Sequence, residues 1–188
     1  MTDLDAAKQT LVAELREHSL VIGEVTLASG ATAQYYVDAR RTLMRPGGFR
    51  AAGELIAAAA HEVGATAVGG PATAAIAPSC AALAGPSGDD LVAFFVRGEK
   101  KQHGLQRWVE GPVEPGVRCL VVEDTVTTGG STAKAIERCR EEGLEIAGVI
   151  AVVDRLAGAA ERIEAAAAAP FRALCTIDEL YPERPDRA

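Results

Sequence analysis

Short apolar runs alternate along most of the chain with alanine-rich segments that have helical periodicity. The segments with helical periodicity are 49–63, 72–84, 133–142 and 157–168. The apolar runs of strand length are 66–70, 91–96, 118–122 and 146–153, with a further candidate at 171–176. The central runs are apolar throughout instead of alternating, so they predict strands that are buried on both faces. This order predicts an α/β fold, with a mostly parallel sheet flanked by helices on both faces.

The first 45 residues have a different pattern. Residues 4–18 have apolar side chains at helical spacing, with Asp3 as a candidate N-terminal cap. Residues 20–38 alternate and turn at Ser29-Gly30, which predicts a hairpin of two short strands. We therefore expect a small N-terminal hood over about residues 1–45, within a single domain that spans residues 1–188. At the other end, residues 182–186 predict a frayed tail.

Composition and charge narrow the classes of function. The chain has 188 residues and a formal net charge of −7, which argues against nucleic-acid and membrane-surface partners. The N-terminus lacks the pattern of a signal peptide, and no apolar run has the length of a membrane span. Four widely spaced cysteines predict free thiols, mostly buried, and they favour a cytoplasmic location.

The segment 119–132 carries the strongest chemical signal. An apolar run is followed by Glu123 and Asp124, then by hydroxyl residues and the pair Gly129-Gly130, before the next helix. An ordinary strand, turn and capped helix would explain part of this pattern. A loop of threonines and glycines at a helix N-terminus also forms a phosphate cradle, because its backbone N–H groups and hydroxyls all face one anion. Acids beside such a cradle indicate a sugar phosphate, so we expect a ribose 5-phosphate site.

A basic segment follows the strand at 91–96. It reads Arg97-Gly98-Glu99-Lys100-Lys101-Gln102-His103-Gly104, with Arg107 just beyond it. A solvated surface loop is the simple alternative. Long polar segments between buried strands are often functional, and glycines provide hinges. We therefore predict a flexible catalytic loop over about residues 97–112.

Two smaller features could contact a substrate. Arg155 follows Asp154 at the end of a predicted strand, where it could pair with a planar carboxylate or simply with Asp154. Tyr35 and Tyr36 in the hairpin could stack on a ring, and hairpin packing is nearly as good an explanation for either residue.

These motifs resemble those of a known family. The segment 121–132 resembles the 5-phosphoribosyl 1-pyrophosphate (PRPP) motif of the type I phosphoribosyltransferases. Arg97, Lys101, His103 and Gly104 match the loop of its orotate phosphoribosyltransferase branch, and the likeness extends from about residue 20 to residue 156. Three positions where the family often has lysine differ, which leads us to expect weaker PRPP binding; they are Ala28, Ala74 and Gly98.

The resemblance implies an activity. Members of the branch transfer the phosphoribosyl group of PRPP to orotate, giving orotidine 5′-monophosphate and pyrophosphate in pyrimidine biosynthesis, with Mg²⁺ as the cofactor. They are homodimers in which the loop at 97–112 would act in the neighbouring subunit. A purine-base phosphoribosyltransferase and a non-catalytic PRPP-sensing regulator stay open as alternatives.

The resemblance also implies roles for individual residues. The implied catalytic residues are Lys101, His103 and Asp124. The implied orotate contacts are Thr127, Arg155, Tyr35 and Tyr36. The implied PRPP contacts are Arg97, Lys100, Lys101, His103, Glu123, Asp124, Thr125, Val126, Thr127, Thr128, Gly129, Gly130 and Ser131. Mg²⁺ would bind through PRPP, with Asp124 as a candidate protein ligand.

Overall fold

A six-stranded sheet forms the centre of the protein in the computed structural model, which describes residues 3–26, 30, 32–99 and 107–187. In spatial order its strands are β5 (Val109–Glu110), β4 (Val92–Val96), β3 (Ala67–Pro71), β6 (Arg118–Val126), β7 (Glu145–Asp154) and β8 (Phe171–Thr176). All neighbouring strands are parallel except β4 and β5. The carboxyl ends of the parallel strands therefore meet along one edge, which is where open α/β sheets bind ligands.

Seven α-helices accompany the sheet in the described part of the chain. They are α1 (Asp3–His18), α2 (Arg40–Leu43), α3 (Pro46–Glu62), α4 (Ile76–Leu83), α5 (Gly130–Glu141), α6 (Ala159–Ala167) and α7 (Ile177–Leu180). A separate antiparallel hairpin joins β1 (Leu20–Thr26) to β2 (Thr32–Val37). Its predicted turn at Ser29 lies outside the described residues. No described helix combines the length and hydropathy that a membrane span requires.

Both faces of the sheet are buried, as the continuous apolar runs predicted. Leu120 and Val122 of β6 pack in a core cluster that contains α1 and α3 residues, including Leu11 and Ile56. Val121, the residue between them, packs in the second cluster with α5 and α6 residues. Successive side chains of a strand point to opposite faces, so a buried central strand needs apolar residues at every position. The predicted fold class is confirmed.

The central strand is longer than the sequence pattern indicated. We predicted that it ends at residue 122, before the two acids, but β6 continues to Val126 and contains both Glu123 and Asp124. Pairing with β7 extends this far, since Val126 lies opposite Asp154. The hydrogen bonds between β6 and β7 set this boundary, and the apolar pattern of the sequence does not reveal them. The short edge strand β5 was missed for the same reason.

The prediction of a frayed C-terminal tail is wrong. After α7 the chain makes further turns, and Arg184 forms ion pairs of 2.8 Å with both Asp178 and Asp186. The Arg184 side chain is only 10% exposed. The tail is held by contacts with residues of the fold that its own polar composition does not reveal. Our assignment of the whole chain to one domain with a hood stays a prediction.

Candidate active site

The turn from β6 into α5 has the geometry of an anion cradle. Gly129 has a φ of +71° and precedes the first residue of α5. A Cβ atom on Gly129 would lie 2.8 Å from Cγ1 of Ile163 in α6, so both its conformation and its packing require glycine. Thr127, Thr128 and Ser131 around this turn are exposed. The first backbone N–H groups of α5 have no partner within the helix, and together with these hydroxyls they suit a phosphate.

Glu123 lies beneath the cradle. Its side chain is 3% exposed and accepts hydrogen bonds from Oγ1 of Thr132 at 2.9 Å and Oγ of Ser131 at 3.3 Å. Burial raises the pKa of Glu123 to about 7, although the bonds from Thr132 and Ser131 act in the opposite direction. The carboxyl group therefore ties the start of α5 to β6. Its predicted contact with the ribose would require it to exchange one of these bonds.

Asp124 points to the other face of β6 and is half-buried. Its Oδ1 accepts a hydrogen bond of 2.6 Å from the backbone N–H of Thr125. Burial raises the pKa of Asp124, opposed by the Thr125 N–H and by the charge of Arg40, while Asp38 raises it further. Arg40 itself pairs with Asp38 at 2.8 Å. Arg40 and Asp38 of the hood, to which the sequence analysis gave no role, therefore both influence the pKa of Asp124.

Arg155 lies directly beside the cradle. Its backbone N–H donates to the carbonyl of Val126 at 3.0 Å, so it is adjacent to Thr127 across the β6–β7 pair. Asp154 accepts a hydrogen bond from the Leu156 backbone at 2.8 Å, which turns the chain. Nε of Arg155 and Oγ1 of Thr125 are buried and have no hydrogen-bond partner within the described residues. Buried polar atoms without partners are unfavourable, so both are suited to bind a ligand.

The two hairpin tyrosines differ in their environments. Tyr35 is 3% exposed, and its ring packs edge-on against Tyr181 with the centroids 5.7 Å apart. These contacts favour the packing explanation for Tyr35. Tyr36, the next residue of β2, points the opposite way and is half-buried. Its contact with the base stays a prediction.

The base of the predicted catalytic loop is described, but its centre is not. Lys100, Lys101, His103 and Gly104 lie outside the described residues, so their assigned roles stay predictions. Arg97 donates its backbone N–H to the carbonyl of Trp108 at 2.9 Å, which closes the base of the loop beside β4 and β5.

The charged group of Arg97 is already engaged at this base. It lies 3.4 Å from Oε1 of Glu110, so a PRPP contact would require it to exchange this pairing. Arg138 of α5, which we did not predict, donates to the carbonyl of Gly98 at 2.9 Å. The helix that follows the cradle therefore also supports the base of the loop.

A third loop joins the cradle and Arg155 at the same edge of the sheet. A Cβ atom on Gly70, near the end of β3, would lie 1.9 Å from the carbonyl oxygen of Val122. Only glycine permits this approach of β3 to β6. The next turn is held to β4, because the backbone N–H of Ala72 donates to the carbonyl of Val96 at 2.8 Å. The segment 70–74 therefore lies near the cradle.

Comparisons with known proteins identify the family. A family model for the phosphoribosyl transferase domain matches residues 47–167. An orotate phosphoribosyltransferase of Streptomyces avermitilis is 44% identical over 179 residues, covering 94% of this chain and 98% of that protein. The chain belongs to the orotate phosphoribosyltransferase family. Our prediction of this family from the sequence is confirmed.

Solved structures of the family agree with this assignment. Orotate phosphoribosyltransferase of Mycobacterium tuberculosis in complex with Fe(III) dicitrate has a TM-score of 0.84 and 38% identity, covering 93% of this chain and 98% of that one. The same enzyme in complex with PRPP has a TM-score of 0.79 and 34% identity, with the same coverage of both chains. The fold of the family therefore extends over nearly the whole of this chain.

The acidic groups of the site fit a magnesium ion that is bound mainly through a substrate. Asp124 offers a half-buried carboxylate, with Asp38 close enough to raise its pKa. Among the described residues, no group of three or more histidine, cysteine or acidic side chains could hold a metal ion. Mg²⁺ commonly keeps several waters and binds through one or two carboxylates together with substrate phosphates. Asp124 could supply such a carboxylate.

Proposed function

We propose that the protein transfers the 5-phosphoribosyl group of PRPP to orotate, forming orotidine 5′-monophosphate and pyrophosphate in pyrimidine biosynthesis. One observation carries this proposal most directly. The phosphate cradle after β6 and the cationic Arg155 after β7 lie next to each other, joined by the bond from Arg155 to Val126. A sugar phosphate and an anionic base can therefore be held side by side at one edge of the sheet.

The cradle residues would bind the 5′-phosphate, and Asp124 would act on the sugar. The N–H groups at the start of α5, with the hydroxyls of Thr127 and Thr128, provide hydrogen-bond donors for the phosphate. The Ser131 hydroxyl would have to exchange its bond to Glu123 to join them. Displacement of pyrophosphate develops positive charge on the sugar ring. A fixed carboxylate such as Asp124 stabilises that charge without having to reorganise during the reaction.

The base would be oriented by Arg155 together with Thr127. A guanidinium group can donate two parallel hydrogen bonds to a carboxylate, which fixes the plane of the base as well as its position. The carboxylate of orotate distinguishes it from the purine bases. Arg155 is therefore the residue that we assign to selection of the base.

The leaving pyrophosphate requires positive charge beyond that of Arg155, which we assign to the base, and Arg40, which pairs with Asp38. Asp124 and Asp38 place negative charge at this edge, whereas the segment 97–104 is basic. We assign pyrophosphate binding to Lys100, Lys101 and His103, with Arg97 at the base of the loop. Mg²⁺, when bound with PRPP, would neutralise part of the pyrophosphate charge.

A homodimer in which the loop acts in the partner's site is part of the proposal. It can be tested by mixing two inactive variants, Lys101→Ala and Asp124→Ala. If the loop acts across the interface, mixed dimers contain one intact site, and statistical exchange restores about a quarter of the wild-type activity. If each loop serves its own subunit, the mixture stays inactive although sedimentation shows a dimer.

We also place the protein in the cytoplasm. Cys119, Cys139 and Cys175 are buried free thiols, and burial raises the pKa of Cys119 and of Cys175 to about 12 each. Unpaired cysteines are typical of proteins in a reducing compartment. Fractionation of the cells that produce the protein would test this location.

The activity itself is tested by the ultraviolet absorbance of orotate. The absorbance should fall only when enzyme, PRPP and Mg²⁺ are all present. Arg155→Ala should lower kcat/KM for orotate by about 100-fold, corresponding to the loss of a charge-assisted pair.

Arg172→Ala is the matched control for this experiment. Arg172 is an exposed arginine of β8 that pairs with Glu62 at 2.8 Å, near the opposite edge of the sheet. Its loss should leave the kinetics unchanged. Turnover of adenine or hypoxanthine in place of orotate, or PRPP binding without any turnover, would reject the proposed function.

A further inference from the structure

Tyr35 connects the C-terminal segment of the chain to Arg155. The Tyr35 hydroxyl donates a hydrogen bond of 3.0 Å to Oδ2 of Asp186. Tyr181 packs against the edge of the same ring, and the guanidinium carbon of Arg155 lies 5.5 Å from the ring centroid. Tyr35 is therefore in contact with the C-terminal segment and with the arginine beside the cradle.

The C-terminal segment is itself fixed to the fold. Arg184 bridges Asp178 in α7 and Asp186, at 2.8 Å to each. The start of α7 is in turn fixed by a capping box, in which Thr176 and Glu179 exchange hydrogen bonds. Because Thr176 ends β8, a continuous series of contacts runs from the sheet through Asp178, Arg184 and Asp186 to Tyr35.

We propose that the segment 181–186 positions Arg155 for the carboxylate of orotate by holding the ring of Tyr35. This inference rests on the proposed function, since it assumes that Arg155 binds the base. In it Tyr35 and Asp186 are positioning residues, because neither needs to touch the substrate. The direct contact of Tyr35 with the base that the resemblance implied stays a prediction, and this inference gives Tyr35 an indirect role through Arg155.

The physical reason lies in the geometry of the arginine. A bidentate pair needs the guanidinium plane to match the carboxylate plane, and a long arginine side chain has many rotamers. A ring beneath the guanidinium favours one orientation through a cation–π interaction. Nε of Arg155 has no hydrogen-bond partner within the described chain. The Tyr35 ring is therefore the contact in the structure that can orient the guanidinium group.

Two variants remove the hydrogen bond between the tail and the ring. Tyr35→Phe keeps the ring, and Asp186→Ala keeps the tyrosine but also removes the ion pair of Asp186 with Arg184. Each should raise KM for orotate by about three- to tenfold, the range expected for one lost hydrogen bond. KM for PRPP and kcat should stay within about twofold, since the cradle and Asp124 are unaffected. The double variant should have the same KM for orotate as Asp186→Ala alone, because Asp186→Ala already breaks the bond that Tyr35→Phe removes.

Glu183→Gln is the matched control, because Glu183 is an exposed acid in the same segment. It should behave as wild type. Thermal melting of every variant identifies a general loss of stability, which would change both KM values together.

The outcome separates this inference from the proposed function. If wild type uses orotate and Arg155→Ala impairs it, the proposed function holds. An unchanged KM for orotate in both Tyr35→Phe and Asp186→Ala would then overturn only the positioning role. Equal increases in the two KM values, or additive effects in the double variant, would overturn it as well.

Discussion

The buried carboxyl group of Glu123 should make the stability of the protein depend on pH in a defined direction. Its pKa in the folded protein is about 7, compared with an ordinary value of 4.5 that we take for the unfolded chain. Between these two values the folded state holds a proton that the unfolded state has lost. The free energy of unfolding therefore falls as the pH rises through this window, and the effect levels off above pH 7.

The size of the effect follows from the two pKa values. The two pKa values imply that this one group lowers the free energy of unfolding by about 2–3 kcal/mol between pH 5 and pH 8. Glu123→Gln keeps a carbonyl oxygen that can accept the bond from Thr132 but does not titrate. The difference in unfolding free energy between wild type and this variant therefore isolates Glu123, since the other titrating groups occur in both proteins.

Urea unfolding of the ligand-free proteins at several pH values measures this difference. It should shift by about 2–3 kcal/mol in favour of the variant between pH 5 and pH 8. Glu145→Gln, at the exposed start of β7, is the reference for exchanging a carboxyl group for an amide. Parallel curves for wild type and Glu123→Gln, within about 0.5 kcal/mol, would refute the reasoning.

Three further substitutions test the cradle. Gly129→Ala should destabilise the protein by about 2 kcal/mol and abolish phosphate binding, because its Cβ would clash with Ile163. Thermal melting measures the loss of stability and calorimetric titration measures the phosphate affinity, and an unchanged affinity would contradict the prediction. Thr132→Val should cost about 1–3 kcal/mol in urea unfolding, since it removes a buried donor to Glu123; no change would show that the bond adds nothing. Thr125→Val should leave the melting temperature unchanged, since its buried hydroxyl has no partner in the described chain, but weaken PRPP binding about tenfold; equal affinities would exclude a PRPP contact from this hydroxyl.

The sequence was informative about features that depend on residues close together along the chain. The apolar run before Glu123 identified the central strand, and the threonines and glycines after it identified the cradle, because both depend on neighbouring residues. Gly129 could be assigned to the turn for the same reason. The order of strands and helices was also sufficient for the fold class, since buried strands and amphipathic helices have different spacings of apolar residues.

The sequence is least informative where distant segments meet. The contact of both acids with the ribose stays a prediction, but neighbouring residues of a strand point to opposite faces, and the sequence did not show that Glu123 lies beneath α5. The polar composition of the tail predicted fraying, because no residue near Asp186 in the sequence shows that Asp186 will accept a hydrogen bond from Tyr35.

The sequence alone thus determined the fold class and the family, and it located the turn that we propose as a phosphate cradle, because these features are encoded in short stretches of residues. Only the tertiary structure decided that Arg155 is bonded to the end of β6, that Glu123 is buried with a raised pKa, and that the C-terminal segment reaches Tyr35. Tyr35 and Asp186 are 151 positions apart along the chain. Such contacts depend on how the sheet brings its strand ends together, and no local spacing of residues contains that information.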